Sequence, residues 1–290
     1  FTLRRMNQVF AQSGYPIEAP FLDVLAQHYG GSLQLLDFDT APGPSREAIN
    51  RFVGVHTEQL IPHLLPEGSI TSDTRVVLAN AVYFNAAWAK PFEAQGTSPA
   101  DFTTHDGRTV QVPTMRAGEV FVRTATVGGV EVIELPYEKD EVAMMLLLPA
   151  QGDLASFEQG LDAASLARFV AALAPETVSL SMPKLDLRTP TKLNDALRAE
   201  GLEVAYGDGA DFSALSSRAK EDGLHITDVL HEAVMKVSEG GTEAAGATAV
   251  IIGRDSVGPS LRSVAIARPF VFVLRDRATG AVLFLGHVVD

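Results

Sequence analysis

The sequence contains no cysteine, which excludes disulfide bonds and zinc sites built on thiolates. It also has no apolar run that approaches the roughly 20 residues of a membrane-spanning helix. The first residues, Phe1-Thr2-Leu3, lack the pattern of a signal peptide. The absence of cysteine does not assign a compartment, because a chain of 290 residues can fold without covalent links.

Positive charge is also scarce. Lys and Arg number 23 against 36 Asp and Glu, which gives a formal net charge of −13. Nucleic-acid binding needs basic clusters, and anionic membrane surfaces attract basic segments, so neither partner is expected. Hydrophobic residues make up 46% of the chain, enough for a sizeable core in one large domain or two average ones.

Motifs that would mark an enzyme are incomplete. Residues 241–248 resemble a phosphate-binding loop, but Ala247 stands where that motif needs lysine. His231-Glu232 begins like a zinc-protease helix, but Met235 occupies the position of the second histidine. No Gly-x-Ser-x-Gly nucleophile elbow is present. The sequence therefore predicts no cofactor and no metal, and only scattered histidines and serines favour an α+β hydrolase.

Apolar spacing predicts a mixed α+β fold with large sheets. A helix is expected over residues 45–64, with Ser45 as its N-cap, and another over residues 154–173. Residues 76–84 are rich in apolar and β-preferring types, which predicts a strand buried on both faces. Helices and strands do not alternate strictly, so a doubly wound parallel fold is not expected.

The most informative segment is a run of very small residues, 238–250, that is entered through Gly240 and Gly241. A polar stretch rich in Gly, Pro and Ser follows over residues 253–260. Small side chains bury little apolar area and contribute little to a core. They suit a segment that fits closely into another element or exchanges partners, so we expect a moving element here.

Four separated motifs, in order along the chain, resemble those of the serpin family. They are residues 80–93, residues 134–137 with 147–149, residues 231–249, and residues 269–270 with 284–289. The resemblance implies an α+β serpin fold with three mixed β-sheets and surrounding helices, in a single domain over residues 1–290. It also places Asn80 and His231 in the family's shutter and Trp88 in its breach.

The resemblance has one large departure, at the N-terminus. Serpins usually carry further residues ahead of the point where this chain begins, and these form the first helices and one strand of a sheet. Either the sequence is truncated or the protein is a natural short form. A natural short form would leave the apolar C-terminal hairpin, residues 270–275 and 281–289, partly uncovered.

The resemblance further implies a hinge and reactive-centre loop over residues 239–262. In serpins a protease cuts this loop, which then inserts into a sheet as a new strand. The hinge comprises Glu239, Gly240, Gly241, Thr242, Glu243, Ala244, Ala245, Gly246, Ala247 and Thr248. Strand alternation places the even-numbered residues from 242 to 252 on one face, and that face carries no charge. No proline interrupts the segment before Pro259.

These features predict a suicide-substrate inhibitor of serine or cysteine endopeptidases rather than an enzyme. The alternative is a non-inhibitory serpin that acts as a carrier, a binding module or a chaperone-like protein. On family grounds we also expect a monomer in an extracellular or periplasmic location.

Two peptide bonds compete as the site of cleavage. Family spacing, counted from the hinge threonine, places the acyl donor at Asp255, followed by Ser256. Side-chain chemistry favours Arg254, because trypsin-like pockets that accept arginine are widespread. A cut at Ile251 or Ile252 is the third alternative. The expected partner is therefore a trypsin-like serine protease or an Asp-selective protease.

Overall fold

The structure is a computed structural model that describes residues 1–29, 32–150, 153–242 and 261–290. The chain divides into two compact units. The first unit comprises Phe1–Thr2, Phe84–Asp186 and Met235–Asp290, and the second comprises Leu3–Tyr83 and Leu187–Val234. Among the described residues, the helices are all too short or too polar to span a membrane.

The bounds of the regular elements are as follows. The strands are β1 (Thr2–Gln12), β2 (Ser32–Leu36), β3 (Val76–Ala87), β4 (Ser98–Thr103), β5 (Thr109–Val127), β6 (Val130–Pro136), β7 (Val142–Leu148), β8 (Ala174–Pro183), β9 (Leu185–Lys192), β10 (Leu230–Ser238), β11 (Gly241–Thr242), β12 (Arg262–Ala265), β13 (Phe270–Asp276) and β14 (Val282–Val288). The α-helices are α1 (Ala19–Tyr29), α2 (Pro42–His56), α3 (Leu154–Gln159), α4 (Ala163–Ala172) and α5 (Asn194–Leu197).

The strands form one sheet of order β2-β1-β3-β11-β10-β9 and a second set of order β12-β8-β5-β6-β7-β13-β14, with β4 also on β5. Strand β5 belongs to two parts of the second set. Its first half pairs with β4 and its last residues pair with β6, and its register shifts between Ala117 and Val120. The set therefore consists of two sheets that share β5, and the predicted α+β class with three sheets is confirmed.

Continuous apolar runs form the core of the first unit. Every residue of β7 is buried, and β7 pairs with β6 on one side and with β13 on the other. Helix α4 covers one face with Phe169, which packs in a cluster with Val132, Met145 and Val271. Burial of an apolar side chain of this size stabilises the fold by about 1.5–3 kcal/mol.

Helix α2 packs the core of the second unit. Its Ile49 and Val53 are fully buried in a cluster with Phe10 and Phe38. The buried Asn50 donates from Nδ2 to the backbone oxygen of Leu65 (2.9 Å) and accepts from the Leu65 backbone nitrogen (2.8 Å). This pair of bonds holds the segment that follows the helix against the core.

The prediction for this helix was wrong at both ends. Helix α2 begins at Pro42, since proline suits the first helical turn. Ser45 is not the N-cap, because it lies inside the helix and its hydroxyl donates to a backbone oxygen at 2.7 Å. The helix ends at His56, after which Glu58 and Gln59 have positive φ angles of 50° and 64°. Such angles cannot continue a right-handed helix.

The strand predicted over residues 76–84 extends to Ala87 but is not buried on both faces. Ala79 and Ala81 are buried, whereas Leu78 is 67% exposed and Asn80 is exposed as well. Apolar composition indicated a strand correctly but does not specify what packs on its second face.

The helix predicted over residues 154–173 is divided into α3 and α4. A capping box starts the second helix: Asp162 accepts from the Ser165 backbone nitrogen (2.7 Å), and Ser165 accepts from the Asp162 backbone nitrogen (2.8 Å). Such a cap stabilises the start of a new helix. The apolar spacing of the sequence does not indicate this break between α3 and α4.

Gly286 on β14 provides room for an aromatic ring. A Cβ at this position would lie 2.5 Å from Cζ of Phe272, its cross-strand partner on β13. Since Phe272 is buried, we expect Gly286→Ala to lower the free energy of unfolding by about 1–3 kcal/mol, measured by urea denaturation. Gly118→Ala is the control, because a Cβ there meets no atom within 4 Å. Equal losses in the two variants would contradict the steric argument.

Candidate functional site

The predicted hinge begins as a tight hairpin at the end of β10. Strand β11 pairs antiparallel with β10, with Gly241 opposite Ser238. On its other side β11 pairs antiparallel with β3, with Gly241 opposite Ala87 and Thr242 opposite Ala86. The first strand residues of the hinge therefore lie between β3 and β10 and are hydrogen-bonded to both.

Only glycine can occupy position 241 in this arrangement. The φ angle of Gly241 is +146°, and a Cβ would lie 2.1 Å from the backbone oxygen of Ala86 and 2.7 Å from Cα of Ala87. Backbone atoms of a paired strand cannot move aside as a flexible side chain can. Any side chain at 241 would therefore separate β11 from β3.

The side chain of Thr242 is directed into the protein. It is 2% exposed, and its Oγ1 lies 2.5 Å from the hydroxyl oxygen of Tyr137. Tyr137 stacks on Trp88 with 4.4 Å between ring centroids, and Phe84 meets it edge-on at 5.4 Å. Burial raises the pKa of Tyr137 far above its usual range, partly opposed by the Thr242 bond. The hydroxyl therefore stays protonated.

The segment after β3 contacts the backbone of the hinge. Trp88 donates from Nε1 to the backbone oxygen of Ser238 (3.0 Å) and from its backbone nitrogen to that of Gly240 (2.9 Å). The backbone nitrogen of Phe92 donates to the backbone oxygen of Glu239 (2.9 Å). Three consecutive carbonyls, the last of β10 and the first two of the hinge, thus accept from one short segment.

The carboxylate of Glu239 completes this end of the site. Thr97 donates to its Oε1 (2.7 Å), and Nζ of Lys184 lies 3.0 Å from its Oε2. Partial burial opposes ionisation of the carboxyl group. The bonds from Thr97, the Glu239 backbone and Lys184 nevertheless lower its pKa overall. Glu239 is therefore held as an anion where the hinge starts.

The other end of the loop is held by charge. Strand β12 pairs parallel with β8, and its first residue, Arg262, makes two bonds to Glu176 (3.0 and 2.8 Å) and one to Glu131 (2.9 Å). Thr124 donates to the same Glu176 carboxylate (2.6 Å). The bonds from Arg262 and Thr124 lower the pKa of Glu176 to about 2, and Glu176 in turn raises that of Arg262.

The structure brings together only some of the predicted site residues. Glu239, Gly240, Gly241 and Thr242 form the described part of the hinge, and Trp88 contacts it. The remaining predicted hinge and cleavage residues lie outside the described residues: Glu243, Ala244, Ala245, Gly246, Ala247, Thr248, Arg254, Asp255 and Ser256.

The predicted shutter residues lie in the second unit. Asn80 donates to Oδ1 of Asn7 (2.7 Å) and to the backbone oxygen of Met6 (3.4 Å), and His231 is half-buried. No hydrogen bond between Asn80 and His231 occurs among the residues that the structure describes. The same residues contain no cluster of three His, Asp or Glu side chains that could hold a metal ion.

Sequence reasoning missed several side chains of the site, namely Tyr137, Thr97, Lys184 and Glu176. Tyr137 lies in the motif of residues 134–137, which carries the family resemblance but predicts no role for the tyrosine side chain. The contacts of Thr97 and Lys184 with Glu239 span 142 and 55 residues, and that of Glu176 with Arg262 spans 86. Spacing along one sequence cannot reveal contacts between residues so far apart.

Comparison with known proteins establishes the family. A family model described as serpin (serine protease inhibitor) matches residues 1–290. The chain therefore belongs to the serpin family.

Individual relatives support this assignment. Serpin-Z1B of Triticum aestivum is 32% identical over 292 residues, which cover 98% of this chain and 73% of the relative. Antithrombin-III of Mus musculus is 30% identical over 286 residues, with coverage of 98% and 61%.

Solved structures support the fold. Uncleaved ovalbumin matches with a TM-score of 0.88 and 25% identity, over 100% of this chain and 77% of that one. The thyroxine-binding globulin complex with thyroxine matches with a TM-score of 0.86 and 27% identity, over 99% and 75%. The predicted serpin fold is confirmed, and the family includes both inhibitory and non-inhibitory members.

The contacts at Arg262 generate a prediction on pH. Because the pKa of Glu176 is lowered to about 2 from a usual 4.5, its ionised form stabilises the folded state above pH 4.5. This contribution disappears as the pH falls through 2. We expect the difference in unfolding free energy between the native protein and Glu176→Gln to be constant above pH 5 and to shrink between pH 4.5 and 2.

Denaturant unfolding at a series of pH values measures this difference. Arg262→Met is the matched variant, since it removes the main donor and should reduce the same pH dependence to the part that Thr124 supports. An undiminished difference between the native protein and Glu176→Gln at pH 2 would contradict the assignment.

Proposed function

We propose that this serpin inhibits serine or cysteine endopeptidases as a suicide substrate and is not itself an enzyme. The observation that carries the proposal is the position of β11, whose Gly241 and Thr242 pair with both β3 and β10. A loop that already has its first residues between two strands is well placed to extend that pairing after cleavage.

The composition of the loop supports the same function. Thr242 is buried, and strand alternation assigns the next even-numbered residues to its face. All of these through residue 252 are uncharged, and the first ones are small. Insertion of a strand adds ladder hydrogen bonds and buries apolar surface, whereas a charge on that face would oppose insertion by several kcal/mol.

In the proposed mechanism, the nucleophile of the protease attacks the scissile carbonyl carbon of the loop and forms an acyl-enzyme, releasing the new amino terminus of the C-terminal fragment. The hinge then inserts between β3 and β10 and carries the attached protease with it. Twelve residues span about 40 Å in an extended strand. If insertion is faster than deacylation, the complex is trapped; if it is slower, the loop is cut as an ordinary substrate.

The proposal is tested by incubating the protein with trypsin-like and Asp-selective proteases. A covalent protease–serpin band on a denaturing gel is the expected result, and cleavage without such a band would overturn the proposal. Thr242→Arg should raise the number of serpin molecules consumed per protease by about tenfold or more, because a guanidinium would replace the buried hinge threonine. Glu243→Arg, which strand alternation assigns to the opposite face, is the matched control and should have a much smaller effect.

A separate prediction concerns the bond that is cut. If Arg254 donates the acyl group, Arg254→Ala should abolish inhibition of trypsin-like enzymes, because their acidic pocket is left unpaired. Asp255→Ala should leave that inhibition intact. If Asp255 donates the acyl group, Asp255→Ala should abolish inhibition of an Asp-selective protease, and Arg254→Ala should leave that inhibition intact. Sequencing the released C-terminal fragment distinguishes the cases: it begins at Asp255 in the first and at Ser256 in the second.

A fragment that begins at Ile252 or Gly253 would contradict both assignments. It would indicate a target protease with an apolar primary pocket. On family grounds we propose that the target is met in an extracellular or periplasmic space and that the inhibitor is a monomer.

A second candidate function is that of a non-inhibitory carrier, which the likeness to thyroxine-binding globulin favours. The structural relative thyroxine-binding globulin is in complex with thyroxine. A carrier would be cut by the protease panel without forming a covalent band.

A further inference from the structure

In the described structure, the hydroxyl of Tyr137 makes a single hydrogen bond, and that bond is to the hinge. Tyr137 is fully buried, and within the described ranges its hydroxyl bonds only to Oγ1 of Thr242, at 2.5 Å. Its ring is fixed between Trp88, stacked at 14° between planes, and the edge-on Phe84. The hydroxyl is therefore presented at one defined position beside the hinge.

The other contacts of the hinge do not depend on side-chain identity at residue 242. The β11 pairing and the bonds from Trp88 and Phe92 use backbone atoms of residues 238–242. Of these contacts, only the bond to Tyr137 requires a hydroxyl group on the side chain of residue 242. If the hinge withdrew, this buried hydroxyl would lose its partner, and an unsatisfied buried polar group is unfavourable.

We infer that Tyr137 is a positioning residue that holds the hinge between β3 and β10 in the uncleaved protein and sets the register from which the loop inserts. Slippage by one residue would place Glu243 or Gly241 beside the hydroxyl in place of Thr242 and would reverse the face of every following side chain. The first part of this inference concerns only the uncleaved protein. Its effect on trapping rests on the proposed inhibitory function.

The chain contains its own reporter for this contact. Trp88 is the only tryptophan among the 290 residues. It stacks on Tyr137 and donates to the Ser238 carbonyl. Withdrawal of the hinge would remove the bond from the Trp88 backbone nitrogen to the Gly240 carbonyl and would admit water to the surroundings of the indole. Trp88 emission and its quenching by acrylamide therefore report on the hinge without any protease.

The test is a double-mutant cycle in the full-length protein with Tyr137→Phe, Thr242→Val and the double variant. Each single variant should shift the equilibrium between held and withdrawn hinge by about two- to tenfold, observed as increased quenching of Trp88. The double variant should be no worse than either single one, because both remove the same bond. Thr242→Ser keeps the hydroxyl and should restore the native signal. Equal and additive effects, or no change in quenching, would overturn the inference.

Two further measurements separate this result from a loss of folding or a failure of the proposed function. Tyr206→Phe removes another buried hydroxyl, one without a hydrogen-bond partner among the described residues, and should leave Trp88 quenching unchanged. A matching change would indicate a general structural effect and overturn the inference. In parallel, Tyr137→Phe should raise the number of serpin molecules consumed per trapped protease by about two- to tenfold. If the native protein traps no protease but the cycle shows coupling at Trp88, the inhibitory function fails and the positioning role stands.

Discussion

The close approach of the hinge backbone to β3 at Gly241 is the constraint on which the rest of the site depends. A Cβ at that position would lie 2.1 Å from the backbone oxygen of Ala86, so β11 can pair with β3 only without a side chain there. Once β11 is in place, Thr242 must lie inside the protein. The carbonyls of the preceding turn then face the nitrogen donors of Trp88 and Phe92.

The two ends of the loop are held by different kinds of interaction. At the hinge, the groups next to Gly241 and Thr242 are mostly neutral. The ionised Glu239 precedes these residues in the chain and contacts Thr97 and Lys184. At the other end, the two-bond contact of Arg262 with Glu176 is of the strong, charge-assisted type. A neutral first segment suits entry into a sheet, because no charge must lose its water. A charged anchor suits the C-terminal end of the loop, where Arg262 stays paired in β12.

The sequence predicted the parts of the fold that follow from local rules. Apolar runs identified β3 and the hairpin of β13 and β14, and the family motifs identified the fold class. The wrong predictions have local causes that spacing does not record. Pro42 moved the start of α2, so Ser45 became an interior residue with a different hydrogen bond. The exposed Leu78 shows that an apolar strand can lack cover on one face.

The sequence by itself determined that the hinge is small, uncharged on one face and free of proline before Pro259, because strand alternation and backbone sterics follow from residue order. Only the tertiary structure decided what receives the hinge. The stacked pair of Trp88 and Tyr137, the anchor of Glu239 and the charge cluster of Arg262 join residues that are 49 to 142 positions apart. Such contacts depend on how sheets and loops pack in three dimensions, and no periodicity along one chain encodes them.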